Sequence, residues 1–285
     1  MTFGCVVLTT GSRPDVLALA LDSLRSQRGV ELDVVVVFNG AEPLALPPRT
    51  RALGLAEDLG IPAARNAGAD QASGELLFFL DDDASLGGDD ALARVAARFD
   101  ADPSLGALQL GVAPRGGGAY SRDWVPRLRV GDRTRPSDVA VLWEGAVAVR
   151  RSVFDLVGGW PGEFRFVHEG VDLAWRILDA GFRVHYAGDI GALHPPPAPV
   201  AAGERHAYSS YYGARNRVWL ARRHLPLPLG ALFVATFAVR TLPRVNARSA
   251  LRGYLDGVRG PYPARRKLRA RTLWRMTRVG RPPVI

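Results

Sequence analysis

Apolar residues in this chain fall into short runs separated by segments of helical spacing. Phe3–Leu8 (FGCVVL), Leu32–Phe38 (LDVVVVF), Ala52–Leu55 (ALGL) and Glu75–Leu80 (ELLFFL) have strand length. The β-branched block Val34–Val37 suits a central strand buried on both faces. Asp15–Gln27 (DVLALALDSLRSQ) repeats its apolar positions as an amphipathic helix does, and further helices are expected over Pro62–Ser73 and Asp89–Ala101. Strands alternating with helices predict an α/β domain whose mixed, mostly parallel sheet is flanked by helices. Leu142–Phe154 (LWEGAVAVRRSVF) reads as a strand running into a helix, with Trp143 and Glu144 near the strand's centre.

In Gly74–Gly88 (GELLFFLDDDASLGG) an apolar run ends in three adjacent carboxylates, Asp81, Asp82 and Asp83. Ligands of parallel α/β sheets sit beyond the carboxyl ends of the strands, where this cluster falls. Three neighbouring carboxylates repel one another unless a cation neutralises them, and Mg²⁺ or Mn²⁺ prefers oxygen ligands. Other strand ends carry Arg13 (in TTGSRPD) and Asn39 (in FNGAE), and Arg65 and Asn66 (in GIPAARNAG) fall at an expected helix start that favours an anion. Together these residues describe a pocket for a metal-bound nucleoside diphosphate.

The ordered set VVLTTGSRP, VVVVFNG, GIPAARNAG, FLDDDA, VGGWPGEF, HEGVDLAWR and YYGARNRVWL resembles the family 2 glycosyltransferases of GT-A fold, in particular bacterial enzymes that build cell-surface glycans. The resemblance runs from about Phe3 to Leu225. It implies an inverting, metal-dependent glycosyltransferase that moves a sugar from a nucleoside-diphosphate donor, with UDP or dTDP as base carrier, to a hydroxyl of an envelope glycan or polyprenyl-linked acceptor. It places Thr10, Arg13, Asn39, Arg65, Asn66, Asp81 and Asp82 around the nucleotide and assigns the metal to Asp81, Asp83 and His194. Relatives carry an aspartate where this chain has Phe38, and a catalytic aspartate where it has Gly170. By position, Glu169 and Asp172 at the start of the next helix are the candidates for the base, and Asp172 also stands four residues before Arg176 as an ion pair would. Trp143, Trp160 and Phe166 are candidate sugar-stacking residues. Two other classes also use some of these features: a sugar-nucleotide nucleotidyltransferase and a nucleic-acid-binding protein.

Composition adds a boundary. The chain of 285 residues divides into a glycosyltransferase domain over 1–225, with a nucleotide part of about 1–115 and an acceptor part of about 116–225, and a helical tail over 226–285. From Arg240 onward 13 Lys and Arg stand against one acid, Asp256, leaving 24 basic and 27 acidic residues upstream. Arg240, Arg244, Arg248 and Arg252 recur every four residues, with Pro243 as a helix breaker or start among them, and Leu268, Leu273, Trp274 and Met276 mix apolar contacts into the run that follows. This tail is expected to dock on an anionic membrane surface rather than on nucleic acid. Pro226–Val239 is shorter than the roughly 20 residues that span a bilayer, the N-terminus does not read as a secretory signal, and the lone Cys5 points to a reducing compartment. The expected location is the cytoplasm, peripheral on the inner face of the cell membrane.

Overall fold

A computed structural model of the chain describes residues 1–196 and 204–284. Four strands form the parallel block: β1 (Thr2–Thr9), β2 (Glu31–Asn39), β3 (Thr50–Leu55) and β4 (Leu76–Asp81). Helix α1 (Pro14–Arg25) joins β1 to β2, and α2 (Ile61–Gln71) carries the chain from β3 back across the sheet to β4. A short β5 (Ser85–Leu86) and α3 (Ala91–Ala101) lead to β6 (Leu105–Pro114). Then come β7 (Ser137–Asp138), β8 (Ala146–Arg150), α4 (Arg151–Val157), α5 (Glu169–Asp179) and β9 (Arg183–His194). Helices α6 (Glu204–His224), α7 (Leu227–Thr241), α8 (Ala247–Arg259) and α9 (Ala270–Arg278) close the chain.

The strands join one mixed sheet in the order β3-β2-β1-β4-β8-β6-β9-β5, with β7 paired to β9. β8 runs antiparallel to both neighbours, and β6 and β9 run parallel to each other. Successive residues of a strand face opposite sides of a sheet, so the apolar runs feed two cores. Val6, Val35, Val37, Leu77 and Phe79 face α2, α4 and α5, whereas Cys5, Val7, Val34, Val36 and Phe78 face α1 and α3. Cys5 is a buried core thiol, and burial raises its pKa far above the usual range.

The observed elements reproduce the expected ones within about two residues for the first hundred positions, and Asp81 is the last residue of β4. One placement differs: Trp143 and Glu144 precede β8 in a turn instead of lying within the strand. The tail differs more. Phe233, Leu268 and Met276 of the tail belong to the same core as β4 and α5. A 3-10 turn at Leu242–Arg244 separates α7 from α8, so Arg240, Arg244, Arg248 and Arg252 do not share one helix. Pro243, which has no N–H to donate, lies in that break.

Candidate active site

The chain winds outward from β1 to β2 and β3, then returns to place β4 on the other side of β1. The carboxyl ends of β1 and β4 therefore flank a topological switch point, where open α/β sheets bind ligands. Leu8 and Asp81 are paired in register there. The buried hydroxyl of Thr9 donates to Asp82 Oδ2 at 2.6 Å, and Arg13 reaches Asp82 at 2.7 Å and Asp83 at 2.9 Å. His194, at the end of β9, stands 3.1 Å from Asp83 Oδ1. Arg115 Nη2 donates to the Asp83 carbonyl at 2.9 Å and so fixes the turn from behind.

Asp81, Asp83 and His194 each offer one ligand atom, all within 4.8 Å of one another. Two carboxylate oxygens and an imidazole nitrogen form a donor set that fits Mn²⁺ or Mg²⁺. The electrostatics fit as well. Burial alone would raise Asp83, but His194 and Arg13 bring it down to about 2. Burial opposes a charged His194, yet the neighbouring Asp83 outweighs it and raises the imidazole pKa. The Arg13 guanidinium and the His194 imidazole thus both face the carboxylates, and a divalent ion would favour the unprotonated imidazole on binding.

Four other expected pocket residues are placed differently from one another. Thr10 is exposed, with its hydroxyl 2.9 Å from that of Ser12. Asn39 donates to Asp58 at 2.6 Å and accepts from the Leu59 N–H, so its amide braces the segment before α2. Asn66 clamps Trp160 by donating to its carbonyl at 2.9 Å and accepting from its N–H at 2.8 Å. Arg65 is only 4% exposed; it donates to Asp81 at 2.7 Å and lies 3.8 Å from Glu169, with Nη1 otherwise unpartnered. Arg65 and Asn66 lie in the second turn of α2, so neither offers the helix-start anion site anticipated for them. Gly60, with φ of 82°, sits at that start, and a Cβ there would come within 2.8 Å of the Arg165 backbone.

Among the aromatic candidates, Trp160 is 1% exposed and packs edge-on against Phe79, which removes it from sugar stacking. Trp143 is partly open and forms a cluster with His194 and Trp124, at ring separations of 5.3 and 6.4 Å. Buried Gln109 fixes this cluster, accepting from the Trp143 N–H and donating to the Trp124 carbonyl. Phe166 is partly open beside Tyr208.

The two base candidates part company. Asp172 is fully buried, taking 2.6 Å contacts from Arg176 Nε and His224 Nε2. Burial alone would raise it, but Arg176 and then His224 hold it far below the usual carboxylate range. A carboxylate so engaged joins helices and has no free oxygen for a substrate. Glu169 is the first residue of α5, and its buried Oε2 has no partner. Burial raises its pKa, against the pull of Arg65.

The segment leading to Glu169 is strained. Arg165, Val167 and His168 have φ of 62°, 54° and 68°, a region that is unfavourable for a β-branched residue such as Val167. Asn216 of α6 holds it by donating its amide to the carbonyls of Phe164, Phe166 and Val167 at 2.7–3.0 Å. Asn216→Leu, which keeps the volume and removes the donors, should cost about 1–3 kcal/mol for the unpaired carbonyls. Thermal unfolding checks this: an unchanged melting temperature would show that the strain is held elsewhere.

The model of the glycosyl transferase family 2 matches residues 5–158, more than half of the chain. The chain belongs to that family. It is 28% identical over 253 residues to the O-antigen biosynthesis protein RfbC of Myxococcus xanthus, an alignment covering 78% of this chain and 20% of that one. The chain thus spans about a fifth of the length of this curated relative. Solved structures agree on the GT-A fold. S. aureus TarS 1–349 in complex with UDP-GlcNAc has a TM-score of 0.64 and 16% identity over 90% of this chain and 82% of that one. The mannosyltransferase PcManGT from Pyrobaculum calidifontis, in complex with GDP-Man and Mn²⁺, has a TM-score of 0.56 and 19% identity over 92% of this chain and 76% of that one. Family membership favours the glycosyltransferase reading over the nucleotidyltransferase one.

Sequence reasoning did not find several residues that shape the site. Thr9, Arg115 and Asn216 act through contacts between distant segments, and no local pattern signals them.

Proposed function

We propose that the enzyme transfers a sugar from a nucleoside-diphosphate donor to a glycan or polyprenyl-linked hydroxyl with inversion, assisted by a divalent metal. The grouping of Asp81, Asp83 and His194 at the switch point carries this reading. These three residues would hold the ion, which when bound would supply positive charge beside the departing diphosphate. Arg13 and Asp82 lie beside it to position the nucleotide, with UDP or dTDP as the preferred carrier.

The acceptor oxygen forms its bond to the anomeric carbon on the face opposite the diphosphate. The bond to the diphosphate oxygen breaks with its electron pair, and the acceptor proton passes to the carboxyl unit at the start of α5. Glu169 belongs to that unit, whereas Asp172 is held in its buried network. Proton removal of this kind contributes roughly 10²–10⁴-fold. The experiment is a hydrolysis screen across UDP-, dTDP- and GDP-sugars with Mg²⁺ and Mn²⁺. A metal-dependent hit is expected, and metal-independent turnover at the full rate would overturn the assignment of the cluster.

Attachment to the inner face of the cell membrane is the second part of the proposal. The lipid-facing role expected of Leu268 and Met276 does not fit, because both are buried in the core. Helix α8 takes that role instead. Its small residues Ala250, Gly253 and Gly257 pack inward, and a Cβ on Gly253 would lie 2.2 Å from the Tyr211 carbonyl oxygen of α6. Leu251, Leu255 and Val258 consequently face solvent, 60%, 40% and 61% exposed, beside exposed Arg248, Arg252 and Arg259. A close-packed small face and an outward apolar face bordered by arginine suit an anionic lipid surface, each Arg contributing about 1 kcal/mol. Among the described residues no helix is long and apolar enough to cross a membrane. The intact protein should sediment with anionic vesicles at low salt, and the Leu251→Asp, Leu255→Asp double variant should stay in solution. Equal sedimentation of both would exclude α8 as the contact.

A further inference from the structure

Glu169 has a carboxyl neighbour at the start of α5. The Gly170 N–H donates to Glu144 Oε1 at 2.6 Å. A Cβ on Gly170 would lie 2.3 Å from that oxygen and 2.5 Å from the Leu142 carbonyl oxygen. Position 170 therefore accepts only glycine, and the Glu144 carboxyl fills the space that a side chain there would occupy. Glu144 reaches the helix start from the turn before β8, so a carboxyl from outside α5 stands where Gly170 has no side chain.

The same turn is tied to the metal cluster. The Gly145 carbonyl accepts from the Asp81 N–H at 3.1 Å, and Trp143, on the other side of Glu144, stacks edge-on with His194. Glu144 thus sits between the residue beside the metal ligands and the helix that carries Glu169. The two acids differ in access. Glu169 is 3% exposed and lies against Arg65, whereas Glu144 is partly exposed as a residue while its carboxyl turns inward to Gly170.

Resting on the reading of this site as a sugar-transfer centre, we propose that Glu144 is the residue that takes the acceptor's proton, with Glu169 as its buried partner. The acceptor O–H bond breaks, its proton goes to the Glu144 carboxylate, and its electron pair forms the new bond to the anomeric carbon as the diphosphate leaves. Charge favours this division. Burial and the Glu169 carboxylate push Glu144 up to about 8, with Arg65 of α2 pulling the other way, and Asp81 of β4 acts on Glu169. Two such acids share protons as a unit, and a proton acceptor near neutrality is well matched to its task.

The decisive variant is Glu144→Gln, which keeps the volume and the oxygen that accepts from Gly170. A purely structural Glu144 predicts near-normal turnover for it. The proposal predicts that kcat for the sugar nucleotide found in the screen falls roughly 10²–10⁴-fold, with the Kd for UDP and Mn²⁺ unchanged. Glu169→Gln should retain measurable turnover because Glu144 remains. Unfolding gives a readout free of substrate. An acid whose folded pKa lies above its unfolded value makes the protein lose stability as pH rises between the two. The wild type should therefore lose melting temperature from pH 6 to 8.5 more steeply than Glu144→Gln.

Wild-type turnover in Glu144→Gln, or an inactive Glu169→Gln beside an active Glu144→Gln, overturns the proposal alone. A wild-type protein that turns over no sugar nucleotide overturns the reading of the site beneath it.

Discussion

Asp83→Ala is expected to lower sugar-nucleotide turnover by roughly 10³-fold or more, because it removes one of the three residues proposed to hold a metal beside the departing diphosphate. Asp83 is the member that makes this cluster usable. It stands 3.1 Å from His194, is held by Arg13, and keeps its carboxyl charged down to about pH 2. Its loss leaves Asp81 and His194 as the remaining members of the cluster and takes away one of the two carboxylates whose charge would attract a hard cation. Titration with Mn²⁺ provides the control. Binding to the folded state raises the melting temperature of the wild type, and Asp83→Ala should show no such rise. Chelator should reproduce the activity loss in the wild type. Full turnover in Asp83→Ala would mean that the three aspartates serve only to shape the turn.

The largest effect on stability is expected from Asp172→Ala, a loss of about 3–5 kcal/mol, as follows when one partner of a buried ion pair is removed. Arg176 and His224 are both essentially buried, and among the described residues Asp172 is the acid that each of them meets. The pH dependence has a definite sign. A carboxyl held below its unfolded value contributes stability that is fully present above about pH 4 and drains away as the pH falls toward the folded value. Wild-type melting temperature should therefore drop from pH 5 to pH 3 more steeply than that of Asp172→Asn. Parallel slopes would place the acid sensitivity in other groups. Activity can fall in these variants too, so the Kd for UDP and Mn²⁺ separates a loosened fold from a damaged site.

The parallel half of the sheet was legible because each buried strand writes its own short apolar run, as Val34–Val37 and Leu76–Leu80 do. The aspartates were legible for the opposite reason, since nothing in a core tolerates Asp81–Asp83 and only a strand end explains them. Asn39 and Asn66 show the limit of that reasoning. Each is a polar residue in a suggestive motif, yet the Asp58 carboxylate and Leu59 N–H occupy the Asn39 amide and the Trp160 carbonyl and N–H occupy that of Asn66, which only the tertiary structure reveals. Asp172 was ambiguous because one of its partners, Arg176, is four residues away and the other, His224, is 52 residues away. The tail was read as an independent basic segment because its arginines dominate the sequence. Its few large apolar residues decide its packing, and Leu268 and Met276 draw it into the enzyme's core.

The contact between His224 and the tail has a practical consequence. His224 Nε2 meets Asp172 while Nδ1 lies 2.9 Å from the Arg266 carbonyl, and Asp179 at the far end of α5 accepts from the Arg269 N–H and the Thr272 hydroxyl. Residues 266–272 therefore grip both ends of the helix that begins with Glu169. A chain cut at residue 240 would therefore remove the contacts that hold both ends of α5. A variant that tests the proposed lipid contact should accordingly keep every helix and alter only the outward Leu251 and Leu255 of α8.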